Sequence, residues 1–263
     1  MNKSINNKDR GVVYFVTGEA RYLKECIFSA KSFKKYCPDI PITLFTDKKN
    51  INKSCFDEVV LIENDVNPFK NKVKYLYCSP YEYTLFLDSD TQVIKPIEEL
   101  FDYLHENDLA IANMCEIDRT CKPAKLINYI RYDYYNTGVI LYKKSTANDK
   151  FFEKWLEYTM SYSEEMISDG INDQSMFIRL IQEDYHKECN LKLIILSNKI
   201  YNVRPPMIQP LKQDGEMKNV KILHYHDQHL HPIIRESIKI WTSLKNDLRK
   251  GALLRRLVTT LTN

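Results

Sequence analysis

No stretch of this 263-residue chain approaches the apolar length needed to cross a bilayer, and the polar run from Met1 to Arg10 lacks the apolar segment of a secretory leader. The expectation is a soluble, cytoplasmic protein. There is no C-x-x-C pair: the seven cysteines (Cys26, Cys37, Cys55, Cys78, Cys115, Cys121 and Cys189) are odd in number and widely spaced, as suits reduced thiols. No charge sign dominates. Lys and Arg total 38 against 35 Asp and Glu, and a net charge of +3 gives no whole-chain drive toward nucleic acid. Internal repeats and low-complexity linkers are absent too, so the length reads as one domain able to bury a substantial core. The opening Val16-Thr17-Gly18-Glu19-Ala20 lacks a Gly-rich, Arg- or Lys-bearing triphosphate loop, which argues against a nucleotidyltransferase.

What is present is an alternation of strands and helices. Val12 to Val16 is a continuous apolar run of buried-strand type, followed by a turn and a helical pattern from Arg21 to Tyr36. Strands are expected at 42–45, 59–62, 83–87, 109–112, 138–142, 191–196 and 220–224. Helices are expected at 72–78, 96–104, 148–162 and 173–185, with Arg204-Pro205-Pro206 marking a loop and Pro232 opening a final basic helix. This is an α/β pattern.

Two clusters carry chemistry. Asp88 and Asp90 stand where the run Thr84 to Leu87 stops, and residues i and i+2 of an extended chain point the same way, so both carboxylates can face one cation. Open α/β sheets bind ligands beyond the carboxyl ends of their strands, and a hard divalent ion held there can take phosphate oxygens as further ligands. The second cluster, His224-Tyr225-His226-Asp227-Gln228-His229-Leu230-His231, holds four of the six histidines. His224 falls at the exit of its own strand. Two carboxylates and an imidazole favour a manganese-like ion over calcium, with magnesium also open, whereas the bland reading is a solvated His-rich loop.

With these motifs in view, the chain resembles the GT-A glycosyltransferases, in particular glycosyltransferase family 8, the glycogenin and bacterial lipopolysaccharide galactosyltransferase group. The resemblance runs from about Val12 to His231 and is strongest over Ser79 to Thr91, which looks like the group's metal motif and lead-in. Tyr135-Asn136-Thr137-Gly138-Val139-Ile140 is similar to its N-[ST]-G-V strand, and Asn172-Asp173-Gln174 to the start of its D-Q helix. The resemblance implies a Rossmann-like, mixed but mostly parallel central sheet flanked by helices, spanning 11–231, with a basic C-terminal helical extension at 232–263.

It also implies a metal-dependent transfer of sugar from a nucleotide-diphosphate sugar, a UDP-sugar by family habit, to a glycan, lipid-linked or protein acceptor, with retention of anomeric configuration. A sugar-nucleotide hydrolase and a catalytically idle binding domain are the alternatives. Carried over residue by residue, Asp88, Asp90 and His224 hold Mn2+ or Mg2+, Ser89 between the carboxylates binds the donor with them, and Asp90 also lies near the donor ribose. Tyr22 stacks on the base, and Lys72 faces the donor, with Lys74 as its runner-up. Asn136 touches the donor sugar, while Asp173 and Gln174 lie beside the reacting carbon. From the residues alone, Asp173 also reads as a helix N-cap.

One departure stands out. The family often follows its late histidine with Gly and then Lys-Pro-Trp, and this chain has no such lysine, so either His229 or His231 supplies the missing positive charge or the loop simply lacks a phosphate clamp. The final basic segment has two readings. Ile238, Trp241, Leu244 and Leu248 share a rough helical face among basic residues, which suits either peripheral contact with an anionic membrane or a helix folded back on the domain.

Overall fold

The computed structural model describes residues 9–63, 68–114, 135–161 and 172–225. The chain divides into two compact units, Met1–His224 and Tyr225–Asn263. Every strand and helix among the described residues belongs to the first. The 231/232 boundary, the basic extension and the aromatic run 129–134 lie outside the described residues.

Nine strands are described: β1 (Arg10–Val16), β2 (Ile42–Thr46), β3 (Glu58–Leu61), β4 (Tyr83–Leu87), β5 (Thr91–Val93), β6 (Leu109–Asn113), β7 (Tyr135–Lys143), β8 (Leu193–Leu196) and β9 (Ile222–His224). Seven form one sheet in the order β3-β2-β1-β4-β7-β6-β8, and within it only β7 runs against the others. The order leaves β1 in one direction through β2 and β3 and in the other through β4, which makes the carboxyl ends of β1 and β4 the switch point of the sheet.

Both faces of the sheet are covered, which is why its strands read as unbroken apolar runs rather than alternating ones. Val12, Tyr14, Leu85, Leu87, Val139 and Leu141 face one core, completed by Cys26, Ala30 and Phe33 of α1 (Ala20–Tyr36). The intervening Val13, Phe86, Ile140 and Tyr142 face the other. That second core is closed by α2 (Pro68–Tyr77), α3 (Thr146–Met160) and α4 (Asp173–Gln182), chiefly through Val73, Leu76, Phe151, Trp155 and Phe177. The chain continues through two single-turn helices, α5 (Tyr185–Glu188) and α6 (Asn198–Tyr201), to α7 (Pro205–Gln213).

Several expectations are corrected. Arg204-Pro205-Pro206 is no loop but the start of α7, where proline at the first helical positions gives up only an N–H that no helix bond would use. The helix expected to run from 173 to 185 stops at Gln182, and Asp184 takes a left-handed φ of 59° before α5. The stretch after Pro96 is a 3-10 helix, Glu98–His105. β5 was not expected, and it pairs antiparallel with β9, Thr91 opposite His224 and Val93 opposite Ile222.

Candidate active site

Three chain segments meet at the carboxyl end of β4. Because β7 is antiparallel to β4, with Leu87 opposite Val139, the beginning of β7 lies beside the end of β4. The Asp88 amide donates to the Gly138 carbonyl at 2.8 Å, joining the acidic turn to Asn136-Thr137-Gly138. The third segment is the first turn of α4. Its N-cap is Asn172, whose side chain accepts from the Ser175 amide while the Ser175 hydroxyl reaches back, a capping box that fixes where the helix begins. Asp173 is therefore the first helical residue rather than the cap. The Trp155 indole donates to its carbonyl at 2.8 Å.

Asp88 and Asp90 do not converge by strand alternation. β4 ends at Leu87, and the chain turns through Asp88-Ser89-Asp90, with the Thr91 amide donating to the Asp88 carbonyl at 3.2 Å. The turn brings both carboxylates to His224, whose Nε2 lies 3.2 Å from Asp90 Oδ1 and 3.9 Å from Asp88 Oδ2. One ligand atom from each of the three falls within 4.8 Å of the other two. Ser89 is half-buried between them.

The buried His224 ring is held from behind. Its Nδ1 is 2.7 Å from Asn202 Oδ1, and since an amide oxygen can only accept, Nδ1 donates there and Nε2 is the nitrogen turned toward the carboxylates. Gly138 makes room for it. A Cβ there would lie 2.2 Å from His224 Cε1, so no other residue fits without displacing the imidazole.

Beside this cluster is a closed network. Lys72 Nζ lies 3.0 Å from Asp88 Oδ1 and 3.1 Å from Asp173 Oδ2, donates to the Thr137 carbonyl at 3.2 Å, and stands 4.9 Å over the Phe86 ring. Burial alone would lower the lysine's pKa, but the Asp173 and Asp88 carboxylates outweigh it and raise it, so the ammonium stays charged. Burial raises the Asp88 pKa, with Lys72 opposing and Asp90 adding to the rise. The Thr137 hydroxyl donates to Asp173 Oδ2 at 2.8 Å. Gln174 Oε1 accepts from Asn136 Nδ2 at 3.1 Å and from the Thr137 amide at 3.3 Å.

Of the residues singled out from sequence, Asp88, Asp90, His224, Lys72, Asn136, Asp173 and Gln174 come together here. Lys74 does not: it is exposed on α2 and lies over Tyr75. Tyr22 sits at the start of α1, beyond the carboxyl end of β1, half-buried, with the Arg21 guanidinium 4.7 Å from its ring. His229 and His231 lie outside the described residues. Sequence reasoning passed over Thr137, Gly138, Trp155 and Asn202. The first two stood inside a motif already singled out, whereas Asn202 and Trp155 carry no local signal.

A seven-stranded, mostly parallel mixed sheet flanked by helices, with this site at its switch point, is the Rossmann-like GT-A fold of glycosyltransferases. Residues 58–227, well over half of the chain, match the family model of the nucleotide-diphospho-sugar transferases, and the chain belongs to that family. No curated protein matches it by sequence.

Among solved structures it is similar to the glycosyltransferase GlyE of Streptococcus pneumoniae (TM-score 0.53, 19% identity, 83% of this chain and 55% of that one). It is also similar to the galactosyltransferase LgtC, solved with donor and acceptor sugar analogs (TM-score 0.51, 16% identity, covering 82% and 86%). The bifunctional glycosyltransferase WbbM is a third (TM-score 0.52, 15% identity, covering 81% and 45%). The chain thus spans about half the length of GlyE and of WbbM and most of LgtC. At these identities the likeness is one of fold. Among the described residues, no helix is long and apolar enough to cross a membrane.

Proposed function

We propose that this chain is a metal-dependent glycosyltransferase that moves a sugar from a UDP-sugar to a glycan, lipid-linked or protein acceptor with retention of anomeric configuration. One observation carries the reading: Asp88, Asp90 and His224 bring one ligand atom each within 4.8 Å of the other two, a donor set that suits a hard or borderline divalent cation such as Mn2+ or Mg2+. When bound, such an ion supplies charge stabilisation to a leaving diphosphate.

The chain's own residues do the rest. Lys72 is a charged ammonium fixed between Asp88 and Asp173, so it holds the acidic turn against α4 and needs no reorganisation when charge develops nearby. The base would lie by Tyr22, at the carboxyl ends of β1 and β2, where the Thr17 hydroxyl is buried without a hydrogen-bond partner among the described residues. Asn136 and Gln174, joined by a hydrogen bond, face the donor sugar as a pair. Asp90 would also lie near the ribose.

Occupancy of Asp173 and Gln174 bears on the route. A two-step path needs a carboxylate or amide oxygen as nucleophile; Asp173 Oδ2 accepts from Thr137 and Lys72, and Gln174 Oε1 from Asn136 and Thr137, contacts that fix where both side chains stand. In that role they position the donor, and the reaction is one-step attack on the face the diphosphate leaves, the departing phosphate oxygen taking the acceptor's proton. Thermal unfolding with a panel of nucleotide sugars and Mn2+ identifies the donor, as the one giving the largest shift. A donor-only assay follows: slow release of free sugar, accelerated by an acceptor, supports transfer. Fast release that no acceptor alters would make the protein a hydrolase, and binding without turnover an idle domain.

A further inference from the structure

We infer that Tyr14, Ser29 and Thr91 form a one-way hydrogen-bond relay that positions the Asp88-Ser89-Asp90 turn and so sets the cation affinity of the site. The inference rests on the metal reading above. Its direction follows from proton counting. The Thr91 hydroxyl donates to the Asp88 carbonyl at 2.8 Å, and a carbonyl oxygen can only accept. Thr91 has then spent its one proton, so the 2.8 Å contact between Ser29 Oγ and Thr91 Oγ1 is donated by Ser29. Ser29 in turn accepts from the Tyr14 phenol, also at 2.8 Å. Every proton points toward Asp88.

The three residues come from β1, α1 and β5 and are buried. Burial, with Cys26 adding, pushes the Tyr14 phenol well above its usual range, so the head of the relay keeps its proton. The Asp88 carbonyl already accepts the Thr91 amide, so the fold does not need the hydroxyls to satisfy that oxygen. Their placement is informative for another reason. Thr91 is bonded to Asp88 through its side chain and is the register partner of His224 across β5 and β9, so it stands between the two halves of the cation site. A parallel tie holds the same strand to α1: the Ser32 hydroxyl accepts from the Val93 amide at 2.9 Å and donates to the Ser29 carbonyl at 2.7 Å. Tyr14, Ser29 and Thr91 are thus positioning residues that act through Asp88.

The test is Mn2+ affinity, read from the electron paramagnetic resonance of free Mn2+, beside thermal unfolding without metal. Variants are Thr91→Val, Thr91→Ser, Ser29→Ala and Tyr14→Phe in the full chain. Loss of the bond to Asp88 in Thr91→Val is expected to weaken Mn2+ binding about tenfold, the equivalent of one hydrogen bond, and Thr91→Ser to restore it. Ser29→Ala is expected to weaken it about threefold and Tyr14→Phe, which keeps its ring, less again. Should Thr91→Val not fold, the order of the other two carries the test. If Ser29→Ala and Tyr14→Phe lower the unfolding temperature but bind Mn2+ as tightly as the wild type, the relay is only packing and the inference is overturned. If the wild type itself takes up no Mn2+, the metal reading falls first and this inference with it.

Discussion

The two halves of the site are made from the same kinds of groups and differ in how far they are open to solvent. In the closed half, Lys72 and Asp173 are 10% and 4% exposed, and Thr137 donates to the carboxylate the lysine faces. In the open half, Asp88 and Asp90 are 30% and 18% exposed, and the imidazole facing them turns its Nε2 their way. A finished polar network stabilises and orients, but a ligand can enter it only by breaking bonds. A more exposed one lets a ligand reach its oxygens directly. The closed half therefore reads as the frame and the open half as the place where a cation and diphosphate dock.

Substitutions should separate the halves. The largest effect is expected from Asp90→Asn, with turnover down about 10²–10³-fold and the Mn2+-induced thermal shift lost. Its metal-free stability should change by less than about 1 kcal/mol, since the nearly isosteric amide keeps the packing and removes one of two neighbouring negative charges. Lys72→Met should differ from it chiefly in stability. It leaves the Asp173 carboxylate buried without its cation, so urea unfolding should show a loss of about 3–5 kcal/mol with or without metal. Equal stability losses in the two variants would erase the distinction between frame and dock.

Smaller effects sharpen it. Asn202→Ala frees the His224 ring to rotate and should weaken Mn2+ affinity about 10–100-fold, measured by titration calorimetry, with a minor change in unfolding temperature. Tyr22→Leu touches neither half. If its ring stacks on the base, UDP affinity should fall by up to about tenfold while Mn2+ affinity holds, and an unchanged UDP affinity would remove Tyr22 from the donor site.

Much of this was legible beforehand, for reasons particular to each residue. Asp88 and Asp90 announced themselves because an apolar run stops at them, and His224 because it opens a histidine-rich stretch. The geometry joining them was misread from sequence. An i, i+2 carboxylate pair looks the same whether strand alternation or a turn aligns it, and only the unexpected β5 shows that the chain has turned. Asp173 was marked as a cap because Asp caps helices well. Asn172 caps as well, and the Ser175 capping box decides between them. Asn202 was out of reach. Its role follows from the bridge that brings Val203 beside Leu223, a long-range pairing with no local pattern.

The most direct test is anomalous diffraction from crystals grown with Mn2+ and UDP. The account predicts one strong manganese peak within coordination distance of Asp88, Asp90 and His224 Nε2, with the Lys72–Asp173 pair intact beside it. Manganese bound elsewhere, or UDP bound with His224 still turned onto Asp90 and no metal between them, would contradict it.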